Sequence, residues 1–173
     1  MIMKPGIRKF ALTVHVTCSV GTIGAVAAFL VLAVAGLASK DSQVARAAYV
    51  SMELTARFVI VPLVFASLLT GIVQSLGTPW GLFRHYWVLA KLLVNLLVTT
   101  VLLLQLELIA YLADVASETA LSGTDLRSLR MSPVVHAAGG LLALLVPVAL
   151  SIYKPRGMTR YGWRKQHEEM SRP

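Results

Sequence analysis

The chain has 173 residues and a formal net charge of +8, with 57% hydrophobic and 14% charged residues and a mean hydropathy of +0.73. Water-soluble domains carry charge at about a quarter of their positions, so this composition excludes an ordinary soluble globule. The basic residues mostly flank the apolar runs, where they orient the protein and meet anionic head groups, which argues against a nucleic-acid role.

Residues 10–39 contain no Asp, Glu, Lys or Arg, and neither do 58–83 or 131–153; between Tyr86 and Ala113 only Lys91 and Glu107 interrupt the apolar run. A hydrocarbon layer of ~30 Å is crossed by about 20 apolar helical residues. The pattern therefore predicts an all-α, four-helix transmembrane bundle with spans over 10–38, 49–76, 86–113 and 133–153, followed by a basic tail, 154–173. Lys4, Arg8 and Lys9 before an apolar run that ends in Ala33-Val34-Ala35 have the order of a signal peptide. The run is about twice the ~7–15 residues of a secretory apolar region, so it reads as the first membrane helix.

The charges orient the bundle. Lys4, Arg8, Lys9, Arg84, Lys91, Lys154, Arg156, Arg160, Arg164, Lys165 and Arg172 fall on the side of the N-terminus, and only Lys40, Arg46, Arg127 and Arg130 on the other, with Arg57 within or near the membrane. By the positive-inside rule this gives an antiparallel up-down topology with both termini in the cytoplasm. The implied first partner is the lipid bilayer.

In the first helix Thr17, Gly21, Gly24 and Ala28 form a small-residue face of the kind that lets helices approach closely in lipid. Cys18, the sole cysteine, reads as a small packing residue. The second helix repeats the small-residue spacing at Ser67, Gly71 and Ser75, and Pro62 predicts a kink. Thr78-Pro79 reads as a helix cap followed by a first helical position. Trp80, Arg84, Trp87 and Lys91 read as interfacial anchors. Ser132-Pro133 repeats the cap-then-proline signature at the start of the fourth helix.

Ionisable groups at membrane depth are costly and mark candidate sites. Glu53 and Arg57, one turn apart, lie near the outer end of the second helix. Glu107 lies near the outer end of the third, and His136 about one turn into the fourth. Together they form a candidate polar layer for a cation, a polar solute or a proton; the plainer reading is that Glu53 and Arg57 neutralise each other and the others meet water. Lys91, Asn95 and Gln105 share one face of the third helix, opposite Thr100 and Glu107. Asn95 and Gln105 are thus expected to bond neighbouring helices. The face His136, Gly140, Ala143 and Pro147 suggests that His136 looks into the bundle. His15 and His136 lie at opposite depths, which disfavours a haem held by both. A haem at His15 with another ligand is the remaining cofactor reading, and no metal cluster is apparent.

The run Pro62-Leu-Val-Phe-Ala-Ser-Leu-Leu-Thr-Gly71, then Thr78-Pro-Trp-Gly81, Arg84-His-Tyr-Trp87 with Lys91, and the closing Leu150-Ser-Ile-Tyr-Lys-Pro-Arg-Gly157 resemble a group of small four-helix bacterial integral membrane proteins of uncharacterised function. That resemblance implies the architecture and the bacterial membrane but no activity. His15 with glycines downstream is similar to the first helix of copper-resistance-type and haem-associated membrane proteins, without the tryptophan those helices often place before the glycine. The readings, in order of preference, are a non-enzymatic accessory or self-associating interaction protein, a small transporter or proton-coupled channel using Glu53, Arg57, Glu107 and His136, and a b-type haem redox protein.

Overall fold

The computed structural model describes residues 3–78, 80–118 and 124–171, and it is helical almost throughout, with no strand among the described residues. Helix α1 spans Pro5–Ala38. Helix α2 (Ser42–Thr55), a π-helical turn (Ala56–Ile60) and helix α3 (Val61–Leu76) run on as one long second span. Helices α4 (Tyr86–Glu118), α5 (Thr124–Tyr153) and α6 (Arg160–Met170) follow. Four of these segments are long and apolar enough to cross a membrane: Pro5–Ala38, Ser42–Leu76, Tyr86–Ala116 and Arg127–Tyr153.

Each long helix extends past its expected bounds, for local reasons. Pro5 occupies the first turn of α1, where a missing N–H costs nothing. Asp41 caps α2, its Oδ1 accepting from the Gln43 N–H at 2.8 Å, so the expected 39–48 connection shrinks to three residues. Helix α4 starts at Tyr86, leaving Thr78 in a bend rather than at a helix cap; Pro79 lies outside the described residues. Helix α5 starts at Thr124 and runs through Ser132 and Pro133. Ser132 does not cap it, because its hydroxyl donates to Gln105 Oε1 at 3.2 Å.

The π turn lies immediately before Pro62, with the Val61 N–H reaching back to Ala56 O. A helical proline crowds the carbonyl four residues back, here that of Phe58. A wider turn at this position accommodates the ring, so the disturbance predicted from Pro62 takes the form of a π bulge.

The long helices form a ring. Helix α1 packs beside the second span and α5, and α4 packs beside the same two neighbours. At one end, called proximal here, the Met3 N–H donates to Gly77 O at 3.2 Å and the Thr159 N–H to Arg84 O at 2.9 Å. These bonds gather the first described residues, the 77–85 connection and the segment after α5. The other, distal end holds the close of α1 and the start of α2. The core is densest there, where Phe29, Ala33, Tyr49, Met52, Ala56, Ile109, Leu112 and Ala116 are buried together.

Two expectations about facing are corrected. Of the small-residue face of α1 only Gly21 packs, against Leu63; Thr17, Gly24 and Ala28 are exposed. The buried stripe is Thr22, Val26, Phe29, Ala33 and Gly36, rotated because the larger apolar side chains claim the core. His136 is exposed, while Pro133, Ala137 and Leu144 form the buried stripe of α5.

One distal lock was not expected from the sequence. Arg130 of α5 donates from Nε to Tyr49 Oη at 2.9 Å and from Nη2 to Gly36 O at 2.6 Å, with a longer bond to Leu37 O at 3.4 Å. These are terminal carbonyls of α1, which no intrahelical N–H reaches. Tyr49 is 1% exposed, and a methyl on Gly36 would come within 3.0 Å of its ring. Hydrogen bonds to charged groups contribute ~1.5–3 kcal/mol. Arg130→Met is therefore predicted to lower the unfolding free energy by about 2 kcal/mol, and Gly36→Ala by less, measured by unfolding of the purified protein in mixed micelles.

Candidate functional site

The expected distal layer divides into separate contacts. Glu53 and Arg57 form an i,i+4 ion pair at 3.3 Å, with the Arg57 side chain 55% exposed; such a pair contributes little. His136 Nδ1 lies 2.8 Å from Ser132 O, and its Nε2 lies 3.4 Å from Gln105 Nε2. Gln105 therefore links α4 to α5. Glu107 is exposed and makes no hydrogen bond or ion pair among the described residues. Thr100 is exposed on nearly the same face, its hydroxyl bonded to Leu96 O at 2.9 Å. Beside Gln105 and His136 lies a groove of about 260 Å³ lined by Phe29, Ile60, Val64, Val101, Leu102 and Ala143 among others. Its wall is almost wholly apolar.

Polar groups from all the long helices meet instead in the proximal half. A cavity of about 210 Å³ is lined by His15, Ser19 and Thr22 of α1, Ser67 of α3, Lys91 and Asn95 of α4, and Pro147 and Ser151 of α5. The helical period explains the grouping. His15, Ser19 and Thr22 are spaced i, i+4, i+7 on α1, and Lys91 and Asn95 are spaced i, i+4 on α4, so each set occupies one face.

Hydrogen-bond chemistry fixes several protons. His15 Nδ1 lies 3.0 Å from Ser67 O and 3.1 Å from Thr70 Oγ1. A carbonyl oxygen only accepts, so Nδ1 carries hydrogen and the neutral ring presents Nε2 as its acceptor. Ser19 Oγ donates to His15 O at 2.8 Å and lies 2.8 Å from Ser67 Oγ. Its single proton is used, so Ser67 Oγ is the donor between the two hydroxyls. Close approach makes this seam: a methyl on Gly71 would come within 3.1 Å of the His15 ring. Asn95 Nδ2 donates to Lys91 O at 2.9 Å, within its own helix. The interhelical bond expected of Asn95 is absent among the described residues, and its carbonyl oxygen remains an acceptor toward the cavity it lines.

The expected interfacial anchors form an aromatic–basic cluster at the proximal end. Trp80 and Trp87 meet edge to face with centroids 5.5 Å apart, and His85 lies 5.3 Å from Trp80. Lys91 Nζ sits 4.5 Å from the Trp87 ring and Lys154 Nζ 5.8 Å from the Trp80 ring, both within cation–π range. Trp87 is 8% exposed, so it is a packing residue rather than a peripheral anchor. Arg84 pairs with Glu169 at 2.7 Å. The basic tail folds back here: Thr159 caps α6 through the Gly162 N–H at 3.0 Å and donates its hydroxyl to Phe83 O at 2.5 Å. Gly162 lies against Arg84 O, where a side chain would collide with backbone.

Depth counting within each helix would have found the proximal cluster, since His15, Ser67 with Thr70, Lys91 with Asn95, and Ser151 all lie within ten residues of their helices' proximal ends. No group of three or more His, Cys, Asp or Glu side chains suited to a metal occurs among the described residues. His15 and His136 line different cavities. No family model, no curated protein and no solved structure matches the chain.

The Ser19–Ser67 bond joins α1 to α3 in an apolar setting. Interhelical polar contacts in membrane proteins average about 0.6 kcal/mol in double-mutant cycles. A cycle with Ser19→Ala and Ser67→Ala, read by unfolding in mixed micelles, is predicted to give a coupling of about that size.

Proposed function

We propose that this chain is a multi-pass protein of a bacterial inner membrane, an antiparallel up-down bundle with both termini cytoplasmic, that binds a small polar solute in the cavity of its proximal half. In that orientation the proximal end faces the cytoplasm. The excess of basic residues on that side supports the orientation, and the quoted motif residues support kinship with small four-helix bacterial membrane proteins. The single observation that carries the binding reading is the convergence of His15, Ser19, Ser67, Lys91, Asn95 and Ser151 around one cavity of about 210 Å³. Polar groups are expensive at such depth, and proteins keep them facing a bundle interior or a wet pathway. A binding or transport role uses this pocket directly and replaces the outer layer of Glu53, Arg57, Glu107 and His136 as the working site.

A second reading, an accessory or self-associating subunit, is favoured by the uneven burial of the spans. Only 11% of the most apolar window of α4 and of α5 is buried, against 28% in α1 and 22% in the second span. The α4–α5 side is therefore the one open to a membrane partner or a second copy.

If the proximal pocket is wetted from the cytoplasm, Ser151→Cys in a Cys18→Ala background reacts with a membrane-impermeant thiol reagent in inside-out vesicles and not in right-side-out ones. Leu112→Cys, at a position that is 0% exposed, stays unlabelled in both. Labelling of Ser151→Cys from the opposite face, or from neither, contradicts the proposal.

A further inference from the structure

We infer that the ligand of the proximal pocket is an oxyanion, held by the Lys91 ammonium with Lys154 at the pocket mouth. This rests on the reading that the pocket is a binding site, and it adds the ligand's charge and chemistry. Lys91 lines the cavity, and Lys154 is the first residue after α5, three positions beyond the cavity-lining Ser151. Both ammonium groups rest on the faces of two indoles that touch each other, Trp87 and Trp80. Stacking on a ring fixes the position of a cation but leaves its charge uncompensated.

No carboxylate compensates it either. Neither lysine is within ion-pair distance of an acid among the described residues, and the Glu53–Arg57 and Glu169–Arg84 pairs use other cations. No acidic side chain lines the pocket. A cation drawn out of water without a counter-charge carries a desolvation cost that a bound anion offsets. Oxyanions also need hydrogen-bond donors; the serine protons are spent within the protein, and the pocket supplies the Lys91 N–H groups and the second amide hydrogen of Asn95. An ammonium pair with no planar guanidinium fork suits a phosphate or carboxylate bound as a point charge.

The same chemistry is offered by free phosphate and by the phosphodiester of an anionic lipid headgroup, since the mouth lies beside the interfacial tryptophan Trp80. The two are separated by titrating full-length protein carrying Trp163→Phe, so that Trp80 and Trp87 alone report by fluorescence. In phosphatidylcholine nanodiscs at constant ionic strength, inorganic phosphate is added in one arm, chloride in a second and glycerol in a third; a fourth arm replaces part of the lipid with phosphatidylglycerol. The expected result is a saturable emission change with phosphate, or one on introducing phosphatidylglycerol if the headgroup is the source, and none with chloride. Affinity is expected to weaken by about tenfold or more in Lys91→Met, by several-fold in Lys154→Gln, and to persist within about threefold in Lys91→Arg, which guards against misfolding. An anion response equal in wild type and Lys91→Met, or no response to either anion source, overturns the inference. Saturable binding of glycerol without any anion response also overturns it while leaving the pocket itself intact as a binding site.

Discussion

Backbone hydrogen bonding under apolar surroundings is the constraint from which the rest of this molecule follows. Where neighbouring groups offer no water, each N–H and C=O must be satisfied within its own helix, and four long helices satisfy nearly all of them. The same constraint reaches the side chains. Thr22, Thr99, Thr100 and Ser151 each return a hydroxyl proton to the carbonyl one turn back, at 2.7–2.9 Å. Most span hydroxyls are thereby spent locally. At the proximal end the groups with capacity left over are the acceptor nitrogen of His15, the side-chain amide of Asn95 and the ammonium of Lys91.

The bundle is accordingly built in two halves of different character. The distal half is closed by Tyr49, Met52 and Leu112 and tied by Arg130, which meets carbonyls that α1 cannot satisfy itself. The proximal half is polar, with a serine–histidine seam between α1 and α3 and a cavity toward α4 and α5. The returning tail, clamped through Thr159, Gly162 and the Arg84–Glu169 pair, packs on the 83–86 segment beside the tryptophan cluster. A closed end and a recessed end are consistent with the proposed binding role.

The fold was largely legible in the sequence, since apolar run length and the absence of charge depend on the solvent rather than on details of packing. Helix ends were less so. The capping reading of Ser132 failed because a tertiary partner, Gln105, took its hydroxyl, and that of Thr78 failed because the chain bends there before α4. Facing was harder still. A small-residue stripe in α1 looked like an interface, but Phe29 and Val26 won the core by size and turned Gly24 and Ala28 outward. For the site, charge drew attention to Glu53, Arg57, Glu107 and His136. Their separation into local contacts depends on helix rotation, which no single-helix pattern contains. The proximal cluster relied on neutral residues, Ser19, Ser67 and Ser151, whose significance emerges only when four helices are brought to one depth.

The central claim is that this polypeptide crosses lipid four times and returns both ends to the cytoplasm. Fusing a reporter that fluoresces only in the cytoplasm to each chain end in turn, in intact cells, tests it most directly. Signal from both fusions, with the protein recovered only in detergent extracts of membranes, is the predicted result. Signal from one end alone, or recovery of the chain without detergent, contradicts it.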